Sequence, residues 1–176
     1  MKKQLLATAI ALASVSGVIS GAHAADGTIN FTGEVLDAAC TVDVGATSAL
    51  TVDLGKVQKS AFTGDGSTAS ATKFTLKLSA CPDTVASATV KFDGTPYAGD
   101  NTVLALTSGT GVATGVGIQL MDATNTVVPL FTASSAYTLT TDAENDLDFY
   151  ARYIQKGDTI AAGKADATAS FTIDYQ

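Results

Sequence analysis

Apolar and polar residues alternate along most of the chain. Five internal or terminal sets stand out: Phe74, Leu76 and Leu78; Val90 and Phe92; Val116, Ile118 and Leu120; Leu147, Phe149, Ala151 and Tyr153; and Ala167, Ala169, Phe171, Ile173 and Tyr175. A sixth, Ile29, Phe31, Gly33 and Val35, lies near the start. A period of two marks a half-buried strand, because successive side chains of a strand point to opposite faces. Turn-forming clusters separate the sets, among them Gly64-Asp65-Gly66-Ser67, Asp93-Gly94-Thr95-Pro96 and Gly109-Thr110-Gly111. No window carries a capped 3.6-residue apolar repeat, so no helix is expected. The predicted class is all-β, and short strands at fairly regular intervals suit an antiparallel sandwich better than a large barrel. Residues 64–72 are the one long segment expected to lack order.

The first residues change the picture. Lys2 and Lys3 precede an apolar run over 5–19 and then Ala22-His23-Ala24, the pattern of a secretory signal peptide over 1–24 with cleavage before Ala25. What remains is roughly 150 residues, one domain's worth, with no visible internal boundary. The chain has 17 acidic and 10 basic residues and a net charge of -7, and it becomes more acidic when Lys2, Lys3 and the only His leave. A nucleic-acid partner is not expected at that charge. Without imidazole, His-based catalysis and most transition-metal sites are removed. No later segment reaches the roughly 18 apolar residues of a membrane helix, so the product is expected to be exported and unanchored. In an oxidising compartment an even pair of cysteines reads as a disulfide, here Cys40 with Cys81. Closing so long a loop stabilises a fold by about 4 kcal/mol in the chain-entropy account.

Several apparent sites fail on inspection. Gly109 to Gly115 has the wrong spacing for a dinucleotide loop, and no βαβ unit follows, so a turn is expected. Asp142, Glu144, Asp146 and Asp148 have the spacing of a calcium loop, but Leu147 stands where the turn glycine belongs and Tyr153 where the bidentate Glu belongs. They are expected on the solvated face of a strand. Asn30-Phe31-Thr32 matches a glycosylation sequon, yet Asn30 falls inside a predicted strand. There is no Gly-x-Ser-x-Gly, and a serine nucleophile would lack its usual base. No enzyme activity and no cofactor or metal are expected; an exported hydrolase using paired carboxylates would need two specific acids to meet in space.

The two ends carry the remaining information. Thr28-Ile29-Asn30-Phe31-Thr32-Gly33-Glu34-Val35 places Ile29, Phe31, Gly33 and Val35 on one face of a strand that begins just past the cleavage site. At the other end Ala169, Phe171, Ile173 and Tyr175 alternate up to the penultimate residue. From pattern alone, both read as ordinary strands of a complete sandwich, paired within the chain.

The same residues resemble those of the pilin subunits of chaperone–usher fimbriae, and most closely the major subunits of type 1-like fimbriae. The shared features are the signal peptide, the segment Gly33-Glu34-Val35-Leu36-Asp37-Ala38-Ala39-Cys40-Thr41-Val42, the second cysteine Cys81, Ala151-Arg152-Tyr153 and the ending. Gly163 is the fourteenth residue counting back from Gln176, with Tyr175 penultimate, as in that family's carboxy-terminal signature. The resemblance spans the chain. It implies an immunoglobulin-like antiparallel sandwich that lacks its last strand and is completed by a donated one. Residues 25–36 would be a donor extension carrying Ile29, Phe31, Gly33 and Val35, and 37–176 the pilin domain. Gly163, Ala169, Phe171, Ile173 and Tyr175 would border the acceptor groove and be recognised by a periplasmic chaperone. Neighbouring pilin subunits and an outer-membrane usher are the other implied partners, and the destination is an extracellular fimbrium supporting attachment. The chain is too short for the receptor-binding domain of a tip adhesin, which favours a shaft or adapter subunit. The alternative is a self-folding secreted β-sandwich that binds carbohydrate or protein.

Overall fold

The computed structural model describes residues 30–32, 39–45 and 49–176. The chain separates into two units, Met1–Val35 and Leu36–Gln176. In the first unit Asn30, Phe31 and Thr32 are exposed and belong to no strand, unlike the strand expected there. The signal-peptide assignment, Ile29, Gly33 and Val35 lie outside the described residues.

The second unit is an all-β antiparallel sandwich of the immunoglobulin-like class. Among the described residues nine strands follow in chain order: β1 Thr41–Asp43, β2 Thr68–Ser79, β3 Ser87–Asp93, β4 Pro96–Tyr97, β5 Asp100–Leu104, β6 Val116–Asp122, β7 Tyr137–Thr138, β8 Asn145–Gln155 and β9 Ser170–Tyr175. The larger sheet has the order β1-β2-β8-β6-β5-β4, and the smaller the order β7-β3-β9. Every pairing between these strands is antiparallel. The alternating sets become the inner faces: Leu76 and Leu78 of β2, Val90 and Phe92 of β3, Val116, Ile118 and Leu120 of β6, and Leu147, Phe149, Ala151 and Tyr153 of β8 are all buried.

Aromatic rings join the two layers. Phe149 of β8 meets Phe92 of β3 edge-on at 5.1 Å between centroids, stacks on Phe74 of β2 at 5.7 Å and touches Tyr137 of β7 at 5.4 Å. Such pairs stabilise by about 0.5–1.5 kcal/mol beyond the area they bury. Tyr137 also donates its hydroxyl to the Asp148 carbonyl at 2.6 Å, and burial pushes that hydroxyl's pKa up to about 12. The Cys40–Cys81 disulfide, with the two Cα atoms 4.2 Å apart, fastens the start of β1 to the end of β2.

Residues 64–72 correct an expectation. Only the turn at 64–67 is irregular; from Thr68 the chain is already β2, paired with β8. The register shifts between Ala69 and Thr72, where Ser70 takes a left-handed φ of 58°. An inserted residue of this kind interrupts the alternation without ending the strand. The last strand also starts later than its pattern, at Ser170. Its partner β3 gives way to the turn at Gly94, which leaves Ala167 and Ala169 outside the ladder.

The acidic run is only half on a strand: Asp146 and Asp148 belong to β8, whereas Asp142, at φ 55°, and Glu144 fall in the turn before it. Asp148 pairs with Lys73 of β2 at 2.8 Å, and Lys77 faces Glu144 and Asp146. A more protected pair ties β8 to β5: Lys156 Nζ donates to Asp100 Oδ2 at 2.9 Å. The Thr102 hydroxyl donates to Asp100 Oδ1 at 2.7 Å, and the Thr102 N–H donates to the same oxygen at 2.9 Å. The hydroxyl first, then Lys156 and the amide, hold the Asp100 carboxyl at about 2, against an ordinary 3.8. A carboxyl more acidic folded than unfolded contributes stability above its unfolded pKa and loses it as pH falls through the folded value. Melting temperature measured from pH 5 to pH 2 should therefore fall less steeply in Asp100→Asn than in the parent, and identical slopes would dismiss this contribution.

Candidate functional site

A sheet edge exposes main-chain donors and acceptors, and proteins usually blunt it with a short strand, a proline or a charge. Three of the four edges here are short: β1 has 3 residues, β4 has 2 including Pro96, and β7 has 2. The fourth, β9, has 6. It pairs with β3 on one side, and among the described residues no strand pairs with the other.

The register shows which groups face that open side. Ser87 and Gln176 exchange both main-chain bonds, at 2.9 and 2.8 Å. In an antiparallel ladder such hydrogen-bonded pairs alternate with non-bonded ones, so the next bonded pairs are Thr89 with Asp174, Lys91 with Thr172 and Asp93 with Ser170. Phe171, Ile173 and Tyr175 occupy the non-bonded positions opposite Phe92, Val90 and Ala88. Their N–H and C=O groups therefore point away from β3, into the open edge. Their side chains point inward but stay half-buried, whereas Ala88 and Val90 opposite are 0% exposed. The β9 side of the core is thus both uncovered and unpaired. The same alternation of half-buried and exposed residues extends back through Ala169 and Ala167 to Ala165.

A second apolar row runs along the extended, unpaired stretch after β1. Val52 and Val57 are half-buried and Leu54 is buried, and the Ser70 hydroxyl donates to the Leu54 carbonyl. Tyr153 of β8 marks where the two rows approach each other. Its hydroxyl donates to the Ala165 carbonyl at 3.4 Å, and its pKa is raised by burial and then by the carboxylates of Asp166 and Asp53, one from each row. Tyr175 is likewise raised by burial. Both apolar rows pack against the same core.

The residues singled out from sequence take distinct places. Phe171, Ile173 and Tyr175 are on β9, and Ala169 immediately precedes it. Gly163 is apart from that edge. A Cβ there would lie 2.5 Å from Ala113 N and Gly111 O and 2.6 Å from Val112 C, because the main chain of 111–113 crosses directly over it. Lys164 donates to Gly111 O and Ala113 donates to Lys164 O, both at 2.8 Å, which fastens the crossing. Of the four residues on the early alternating face, only Phe31 is described, and it is 91% exposed. Tyr153 was legible as a strand residue but not as part of this surface; Val52, Leu54 and Ala165 were not singled out. The Val52-Asp53-Leu54 alternation was the signal for the first two, and the spacing of Ala165 from Ala167 and Ala169 that for the third.

An all-β immunoglobulin-like sandwich with one long unpaired edge is the class that these features define. The profile of the family described as "Fimbrial protein" matches residues 29–176. The chain is 39% identical over 173 residues to the type-1 fimbrial protein A chain of Escherichia coli K12, covering 96% of this chain and 94% of that one. A solved type I fimbria protein, an antigen of Burkholderia pseudomallei, is 40% identical with a TM-score of 0.60, over 85% of this chain and 97% of that one. The P pilus rod subunit PapA shares the fold at a TM-score of 0.64 and 23% identity, over 79% and 100% of the two chains. The chain belongs to the fimbrial protein family, the pilins of chaperone–usher fimbriae. It is a structural subunit of a surface fimbria, and its relatives are structural subunits and not enzymes.

Proposed function

We propose that this subunit polymerises head to tail by strand donation. Residues 25–36, which follow a signal peptide over 1–24, are the donor, and 37–176 the pilin domain. Ile29, Phe31, Gly33 and Val35 of one copy lie along the β9 edge of the next, beside Ala169, Phe171, Ile173 and Tyr175. The observation that carries this reading is the coincidence at Phe171, Ile173 and Tyr175 of half-buried side chains with unpaired main-chain groups. An added strand satisfies both at once, main-chain bonds giving affinity and alternate side chains giving specificity. Burying a large apolar side chain fully is worth about 1.5–3 kcal/mol, so completing three half-buried ones supplies roughly 3 kcal/mol. Main-chain hydrogen bonds add about 0.5–1.5 kcal/mol each.

A donor at one place and an acceptor at another form a heterologous contact, and when its rotation does not close the product is an open filament. The exposed edge would be hazardous before assembly. A periplasmic chaperone covers it by lending its own strand, an outer-membrane usher exchanges that strand for the next subunit's donor, and the finished fimbrium supports attachment outside the cell. Gly163 belongs to the same device through the main-chain crossing that sets the course of the chain leading into β9.

Gly33 tests the donor register, since a residue without a side chain suits the closest backbone approach along the groove. Gly33→Leu is expected to abolish filaments seen by negative-stain electron microscopy while the chaperone complex still purifies intact. Normal filaments from that variant would reject the register.

A further inference from the structure

The stretch leading into β9 has a second edge, opposite the open one. β3 ends at Asp93, and beyond it the chain around 107–113 takes its place beside 164–168. Thr107 donates to Asp166 O at 2.8 Å at one end; at the other, Lys164 donates to Gly111 O and Ala113 to Lys164 O, both at 2.8 Å. Between these bonds Ser108, Gly109 and Thr110 stand opposite Ala165 alone and make no main-chain bond to it. Extra residues of this kind bow a strand outward. The bow leaves a cavity of about 400 Å3 between 107–112 and 164–168. Small-molecule sites occupy about 300–1,000 Å3.

The lining decides what fits. Thr107, Ser108, Thr110 and Thr168 bring hydroxyls, each able both to donate and to accept. Lys164 and Asp166, two residues apart on an extended stretch, share a face and add one group that only donates and one that only accepts. Neither side chain makes a hydrogen bond or an ion pair among the described residues. An anion in the cavity would meet Asp166 and a cation would meet Lys164, so a neutral ligand is favoured over either. No aromatic ring lines the cavity, and Val112 is its one aliphatic wall, so a flat aromatic or a lipid chain has little to pack on.

We propose that this cavity binds a neutral sugar unit, whose hydroxyls donate and accept as the lining does. Asp166 accepts from the sugar's hydroxyls, and Lys164 donates to its oxygens. Main-chain groups alternate sides along an extended strand, so those of Lys164 and Asp166 are turned to the bow and those of Ala165, Ala167 and Ala169 to the open edge. Sugar binding and strand donation therefore use opposite edges. Repeated along the proposed filament, a weak site gains avidity without any new contact. The avidity rests on the filament reading; the site itself does not.

Saturation-transfer NMR on the full chain tests the site, with methyl glucoside, methyl galactoside and methyl glucuronide as probes. Saturable transfer to a neutral glycoside is expected, with a dissociation constant of about 1 mM, as suits a few hydrogen bonds made beside water. Glucose and galactose measured alongside distinguish a soluble sugar from a chain-linked unit, which the methyl glycosides represent. Asp166→Ala and Lys164→Ala should each weaken binding about tenfold, because charge-assisted hydrogen bonds are the stronger ones. Both side chains are exposed, so the fold is retained, and Asp83→Ala, which removes an exposed carboxylate elsewhere, should leave binding unchanged. The site is overturned by absence of saturable transfer to every neutral sugar, by tighter binding of the glucuronide than of the glucoside, or by unchanged binding in Asp166→Ala and Lys164→Ala. Failure of the unaltered chain to form filaments would count against strand donation and leave this measurement standing.

Discussion

A chain beginning at residue 37 is expected to form no filaments, while still binding an added peptide of residues 26–36. Removing the donor leaves the β9 edge untouched, since none of its described partners precedes Ser87. The side-chain and main-chain contributions along that edge together reach about 8 kcal/mol before the entropic cost of association and of ordering the peptide is subtracted. Fluorescence anisotropy of a labelled peptide measures the affinity, and electron microscopy of the same sample measures growth. Ile173→Asp in the shortened chain should weaken the peptide by about a hundredfold, because it puts an unpaired charge into the centre of the groove. Filaments from the shortened chain would refute strand donation, and undiminished peptide binding by Ile173→Asp would refute the β9 edge as its site.

The second large effect concerns backbone crossings. Gly115 has φ +73°, and a Cβ there would lie 2.0 Å from Thr159 O. Gly163 would meet three main-chain atoms within 2.6 Å. Main chain cannot swing aside as a flexible side chain can, so the sheet's connections must shift. Overpacking of this kind costs about 1–3 kcal/mol, and the left-handed conformation adds about 1–2 kcal/mol at Gly115. At about 2–4 °C per kcal/mol, Gly163→Ala should lower the melting temperature by roughly 2–12 °C and Gly115→Ala by roughly 4–20 °C. Gly157→Ala is the control: its φ is +87° but nothing lies within 4 Å, so only the conformational cost applies. Equal melting temperatures for Gly157→Ala and Gly115→Ala would remove steric crossing as the reason for glycine at 115, and an unchanged melting temperature in Gly163→Ala would remove it at 163, where φ is not left-handed.

The elements most readily legible in sequence were those with one face buried over several residues. Leu76 and Leu78 in β2, and Leu147, Phe149, Ala151 and Tyr153 in β8, alternate because one side meets the core and the other meets water. The shorter elements left no such mark. In β5 the buried residues Val103 and Leu104 are adjacent, and β1, β4 and β7 are too brief to show a period. The bulge at Ser70 hid the first third of β2 for the same reason, by breaking the alternation where pairing continues.

The proposed strand-accepting surface was half legible. Phe171, Ile173 and Tyr175 declared themselves as an inward face, yet β3 and β9 have the same pattern. Alternation reports which side chains point inward, not whether the edge beyond them is covered. The amino-acid sequence by itself determined the all-β class, the inner faces of the long strands and the cysteine pair. Only the tertiary structure decided that β9 stands at an edge, that Val52 and Leu54 pack on the same core as Tyr153, and that Gly163 lies beneath another stretch of backbone. The reason is that periodicity is a local property of one strand, while strand order and pairing depend on residues far apart in the chain, which no local pattern encodes.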